Sequence, residues 1–415
     1  VEQVHFRHQI TSRSSLHLQV PTSRRTSVSA ATTIAAAILF VLQWNIVAVE
    51  AQDNYSTLEP RIRAHIEYLA SPELRGRRSG SGMAAARQYI IKELEKAGAR
   101  PFFNGDWVQT VPGQTTLAGD QLPDGENIGG FVPGTDPELR NEWIIVNAHY
   151  DHLGVIGGRV YPGADDNASG VTLLLEVARA VAARPLKRSV AFVAFDFEEH
   201  LLWGSRWFIG NTPIDLDRIR FCLTTDMIGR SLGGLGLPTV FVLGAEHSSL
   251  LRDTLAEVDI PAGLEVAQLG TDMIGTRSDY GPFRDQRIPF LFFSTGEHPD
   301  YHSPADTADR IDYPKATRIV QLAIRVVTSI GNSEQTLEWE DPVYQKLEEA
   351  QAVHRITELL TEADNAGTIQ LSSTQRFFVS QVRSKTGYMV RKQRVSDEER
   401  KWVARAAMVL LLSVF

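Results

Sequence analysis

Short runs of uninterrupted apolar residues alternate with helix-period segments through the middle of this chain, and this alternation limits the possible folds most. The runs Trp143–Val146, Val190–Phe195, Phe221–Thr224, Thr239–Leu243 and Pro289–Phe293 have the length of buried strands. Amphipathic helical patterns fall at Met83–Ala97, Val171–Ala183, Leu250–Val258 and Ala316–Ser329. A strand that is apolar at every position must be covered on both faces. The pattern therefore predicts an α/β sheet lying between helices. In such sheets ligands bind beyond the carboxyl ends of the strands, so chemistry is to be sought just after each apolar run.

Those positions hold metal-binding residue types. Asn147-Ala148-His149-Tyr150-Asp151-His152 follows the first run, and Asp196-Phe197-Glu198-Glu199-His200 follows the second. Thr225-Asp226-Met227-Ile228-Gly229 follows the third, and Pro299-Asp300-Tyr301-His302-Ser303-Pro304 lies beyond the last. Gly163-Ala164-Asp165-Asp166-Asn167-Ala168-Ser169-Gly170 precedes a helix between the first two. Carboxylates gathered at one sheet edge repel one another and each resists ionisation. A pair of divalent cations would relieve that cost.

Composition narrows the field. Lys+Arg total 42 against Asp+Glu 50, a net charge of −8, which argues against a nucleic-acid partner. The single cysteine, Cys222, excludes an intramolecular disulfide framework and any cysteine-rich zinc module. Residues 1–29 carry Arg7, Arg13, Arg24 and Arg25, followed by apolar Ala30 to Leu42 and a small-residue site at Val49-Glu50-Ala51. This order predicts a secretory leader over residues 1–51 and an exported protein, periplasmic or extracellular. The alternative is an uncleaved membrane anchor through residues 30–49. The α/β domain is then expected over residues 52–330 and a helical C-terminal extension over 331–415, with a helix in KLEEAQAVHRITELLTEA. Residues Gln375–Phe415 carry nine Lys/Arg and three Asp/Glu, a local +6. Such a segment can touch an acidic membrane surface, as the leader can, or pack its apolar stripe on its own domain.

The motifs AHYDH, GADDNASG, FEEHLLWGS, TDMIGR, RSDYGPF and DYHSPADT, with the opening HIEYLASPELRGRRSGSGMAAARQYIIKELEKAG, resemble the co-catalytic zinc exopeptidases of the bacterial secreted leucine aminopeptidase type. The resemblance runs from about Arg61 to Ile330. It implies a single α/β domain with a mixed, largely parallel central sheet of about eight strands between helices. It also implies two Zn²⁺ per chain. His149 and Asp226 would bind one, Glu199 and His302 the other, and Asp166 would bridge both. Asp151 matches the carboxylate that orients a metal-bound imidazole. Glu198 would be the general base, taking a proton from water shared by the two cations. Tyr301 would donate to the developing oxyanion, and Arg277 matches a substrate-orienting arginine.

Two positions depart from the family pattern: Tyr280 stands where many relatives carry histidine, and His200 where smaller or polar residues are common. His152, His200, His247 and His298 read more simply as loop or surface histidines than as ligands. Asp165 reads as a cap for the helix beginning near Ala168, or as a support for its neighbour. Cys222 reads as a small core residue, and Trp203 and Trp207 as one packing face. The expected activity is aminopeptidase cleavage of a peptide substrate. Alternatives on the same scaffold are carboxypeptidase, dipeptidase or glutaminyl cyclase, or a non-catalytic binding ectodomain. The cyclase relatives use one zinc and the ectodomains lose ligands, whereas this chain keeps all five ligand types.

Overall fold

The structure is a computed structural model that describes residues 57–115, 119 and 121–413. The leader expected over residues 1–51 lies outside the described residues. Chain order begins with helices α1 (Leu58–Leu69) and α2 (Gly80–Ala97) and strands β1 (Arg100–Pro101), β2 (Val108–Val111) and β3 (Gly125–Val132). Strand β4 (Trp143–His149), hairpin β5 (Gly154–Ile156) and β6 (Arg159–Tyr161), α3 (Gly170–Ala183) and β7 (Ser189–Phe195) follow. Next come α4 (Trp203–Asn211), β8 (Ile219–Thr225), β9 (Thr239–Leu243), α5 (Ser249–Glu257), β10 (Glu265–Leu269), α6 (Tyr280–Asp285) and β11 (Phe290–Ser294). The last helices are α7 (Tyr313–Asn332), α8 (Lys346–Asn365), α9 (Ser373–Arg391) and α10 (Asp397–Ser413).

The central sheet has nine strands in the order β1-β3-β7-β4-β8-β11-β9-β10, with β2 also paired to β3. Its middle strands β7, β4, β8 and β11 run parallel, while β3 joins β7 and β9 joins β11 antiparallel. The sheet is thus mixed, with a parallel centre whose carboxyl ends gather at one edge. Period-two alternation explains why the central runs are apolar throughout. In β7, Val190, Phe192 and Ala194 enter the core under α1, α2, α3 and α7. Ala191, Val193 and Phe195 enter a second core on the opposite face. Helices α8 and α10 complete that second core through Val353, Ile356, Val403, Ala404, Ala407 and Leu410. The apolar stripe of the basic C-terminal segment therefore packs on its own domain. No described helix is long and apolar enough to cross a membrane.

Cys222 is buried in the second core, where Asn147 Nδ2 donates to its Sγ at 3.0 Å and burial pushes the thiol up to about 12. Strand β3 was not expected, because Gly129 and Gly130 interrupt its apolar run. A Cβ at these positions would meet the Phe103 and Trp107 rings at 2.6 and 2.8 Å, so glycine here permits close packing.

Candidate metal centre and active site

His149 is the last residue of β4, and its buried imidazole faces the strand ends on either side. Its Nε2 lies 3.3 Å from Asp166 Oδ1 and 3.3 Å from Asp226 Oδ1, just past β8. The other oxygen of Asp166 faces a second group. His302 Nε2 lies 3.2 Å from Asp166 Oδ2 and 3.2 Å from Glu199 Oε2. One carboxylate thus stands between two imidazole–carboxylate sets, and all five residues expected as ligands come together.

These spacings fit zinc. Donors about 2.0–2.1 Å from a tetrahedral ion stand about 3.3 Å apart, and imidazole with carboxylate is a zinc donor set. Side chains alone leave the group electrostatically frustrated. Burial pushes Glu198 and Asp226 up, only partly opposed by His149. Burial works against protonated His302, but Asp166 and Glu199 outweigh it and raise its pKa to about 10. Burial would raise Glu199 as well, yet hydrogen bonds with His152 and His302 bring it down to about 2. Protons on the imidazoles and the buried Arg77 guanidinium offset several acids only in part, a role that bound cations fill more completely.

The loops around the donors are fastened by acids and one arginine. Asp151 accepts at Oδ1 from the Glu198 N–H (3.2 Å) and at Oδ2 from the Glu199 N–H (3.4 Å). Its Oδ1 also lies 3.5 Å from His149 Nδ1. Its backbone carbonyl lies closer to that nitrogen, at 3.2 Å, so one residue sets both the imidazole and the two-glutamate turn. Asp306 accepts from the backbone N–H groups of Asp165 (3.0 Å) and Asp166 (3.0 Å). Arg77 is fully buried and donates to the carbonyls of Leu69, Tyr150, Pro162 and Gly163. Gly163 opens the Asp166 loop at φ +61°, where a Cβ would sit 2.1 Å from Asp166 O. The Asp166–Asn167 peptide is cis.

Three expectations need correction. His152 is on a loop but is not a surface residue: it is buried, and its Nδ1 lies 2.8 Å from Glu199 Oε1 and 3.7 Å from Asp166 Oδ2. His298, buried as well, is no surface histidine either. Asp165 does not cap a helix. Its Oδ1 accepts from the Gly229 N–H at 2.6 Å and its Oδ2 lies 3.4 Å from buried His298, tying two site loops together. Sequence reasoning missed roles for Arg77 and Asp306 as well. Both lie within quoted motifs, but nothing in a motif shows which backbone groups a side chain will reach.

A cavity of about 520 Å³ opens beside the donors, with Glu198, Glu199, Asp166, Asp226, Tyr301 and Arg277 in its lining. Tyr301 stacks on His302 with ring centroids 3.8 Å apart. Burial, reinforced by Asp166 and Asp226, pushes its phenol far above the usual range, so it remains an O–H donor. Arg277 is half exposed, with Nη1 3.4 Å from Glu297 Oε1.

Residues 127–327 match the family model described as peptidase family M28. The chain carries an M28 peptidase domain. All five donors of the site lie within the M28 domain, as does Glu198. An aminopeptidase of Bacillus subtilis is 27% identical over 179 residues, which are 40% of this chain and 36% of that protein. The chain thus spans about a third of that relative's length. The solved aminopeptidase from an Aneurinibacillus species aligns over 69% of this chain and 95% of its own, with TM-score 0.50 and 16% identity. A glutaminyl cyclase from Tannerella forsythia aligns over 65% and 98%, with TM-score 0.50 and 20% identity. These two structures share the α/β fold of the M28 domain.

Proposed function

We propose that the chain is an exported, zinc-dependent aminopeptidase that binds two zinc ions and removes N-terminal residues from peptides. The carrying observation is the placement of Asp166, whose two oxygens face His149 and His302 separately at 3.3 and 3.2 Å. His149, Asp166 and Asp226 would hold one ion, and Asp166, Glu199 and His302 the other, with His152 fixing Glu199 from behind. Zinc in these positions supplies Lewis acidity toward a carbonyl and lowers the pKa of water toward neutrality.

Glu198 is the base in this reading. Its Oε2 lies 4.0 Å from His149 Nε2, farther than the 3.3 Å of the neighbouring donors, while Asp151 holds its backbone at the cavity wall. It takes the proton from water and returns it to the leaving amine. Tyr301 donates to the carbonyl oxygen as charge develops there. Arg277 orients the peptide at the cavity mouth. The basic, apolar and small-residue order of residues 1–51 supports export.

A panel of aminoacyl anilides, N-blocked peptides and N-terminal glutaminyl peptides, assayed with metal-free and zinc-loaded enzyme, tests the reading. Zinc-dependent cleavage of free-amine substrates alone is expected. Cyclisation of the glutaminyl peptides, or release of C-terminal residues from blocked ones, would replace it with another activity.

A further inference from the structure

The cavity runs well past the reacting groups. Its floor is a registered row across the sheet: Phe292 pairs with Leu243, and Leu243 with Leu269. Residues paired across strands share a face, so Phe292, Leu243 and Leu269 stand side by side, and all three line the cavity. From β11 to β10 these three residues cross two strand spacings, about 10 Å in all. Its roof comes from beyond the M28 domain. Val353 and Ile356, one helical turn apart on α8, and Ala407 and Leu410, one turn apart on α10, complete the wall. The row and the roof contribute only apolar side chains. The charged lining residues come instead from α4 and the loops that carry the site.

An apolar space of this kind is costly when nothing fills it. Larger side chains at Ala407 or Val353 would close it, yet the chain has small ones there. Water gains little at the end lined by the row and the roof, where the side chains are apolar. The cavity volume, about 520 Å³, is several times that of a leucine side chain and opens directly onto Glu198.

We propose that helices α8 and α10 make this cavity a receptor for a long, unbranched apolar side chain on the residue being released. This rests on the aminopeptidase reading, since the mouth must hold the scissile amide. The extended row favours a linear chain, because a compact branched or aromatic group fills only the end near the metal site. Specificity is thus set by the C-terminal extension, while the M28 domain supplies the chemistry.

The test is a homologous series of zinc-enzyme substrates: alanyl, norvalyl, norleucyl, 2-aminooctanoyl and 2-aminodecanoyl anilides. In the wild type, kcat/KM should rise about threefold to fourfold per methylene, the usual worth of burying one, and continue beyond norleucyl. In Ala407→Trp the ratio of 2-aminodecanoyl to alanyl kcat/KM should fall at least tenfold. That ratio is independent of how much variant folds. Calorimetric binding of n-alkylamines to the wild type and to Val353→Phe gives a second readout without turnover. Affinity should climb with chain length in the wild type and level off early in the variant. If no anilide is cleaved but the alkylamines show this behaviour, the peptidase reading fails and the receptor stands. An optimum at alanyl or norvalyl, or a length preference unmoved by Ala407→Trp, would overturn the receptor.

Discussion

Two buried acids, Glu176 and Glu349, anchor helices on opposite faces of the sheet, and their surroundings push them in opposite directions. Glu176 on α3 accepts from Arg61 of α1 at 2.8–3.1 Å, with His65 Nε2 at 3.4 Å and Arg179 Nε at 3.8 Å. Burial alone would raise its carboxyl, but His65 and Arg61 outweigh burial and hold it below the usual glutamate range. Glu349 on α8 accepts from Arg400 of α10 at 2.7 and 3.0 Å and from the Gly270 N–H at 3.0 Å, just past β10. Arg400 also pairs with Asp272, and burial wins, so the Glu349 carboxyl is raised. The first anchor fixes the helix that leaves the Asp166 loop. The second fixes the helices that roof the apolar end of the cavity. The chemical end therefore rests on an ion cluster that favours its charges, and the apolar end on one that tolerates them.

The largest effect should appear at the chemical end. Glu198→Gln keeps size and polarity but removes the proton acceptor, so kcat should fall about 10²–10⁴-fold with zinc content unchanged. Steady-state kinetics and metal analysis on the same preparation check both halves. A variant that lost metal instead would show Glu198 to be a ligand, and the division between the two glutamates would be reversed.

At the apolar end, Arg400→Ala leaves Glu349 buried without its guanidinium, and removing one partner of a buried pair costs about 3–5 kcal/mol. The denaturation midpoint should drop accordingly. An unchanged midpoint would mean that the C-terminal helices are held by apolar packing alone.

The smallest effect concerns pH. A folded pKa held below its unfolded value gives stability that is present above the usual glutamate range and lost as pH falls through the folded value. Glu176→Gln should therefore destabilise more at pH 7 than near pH 3. Glu349 has the opposite sign: stability falls as pH rises from the usual glutamate pKa through its raised value. Glu349→Gln should accordingly cost less than Glu176→Gln at pH 7. Urea titrations of both variants at the two pH values give the comparison, and equal losses would remove the contrast between the anchors.

The same division governs what the sequence reveals. The central strands were legible because burial on both faces makes them apolar throughout. His149, Glu199 and Asp226 stood out as polar residues close behind such runs. Strand β3 was hidden because its glycines serve the rings of Phe103 and Trp107 rather than an apolar pattern. His152 was hidden because a histidine three residues past His149 looks the same whether it faces water or Glu199. The cavity roof was the least legible. Val353 and Ala407 are ordinary helix residues in sequence, and only the path of the chain from β10 through α8 to α10 sets them opposite Phe292 and Leu243.

Zinc stoichiometry tests the central claim most directly, since the site is built around one carboxylate shared by two donor sets. Chelator-stripped protein, reconstituted and dialysed, should bind about two zinc ions per chain, as should Glu198→Gln. Glu199→Gln should retain about one and recover the second only with excess zinc, because mass action refills a weakened site. Full activity at one zinc per chain, or two tightly held ions in Glu199→Gln, would contradict the account.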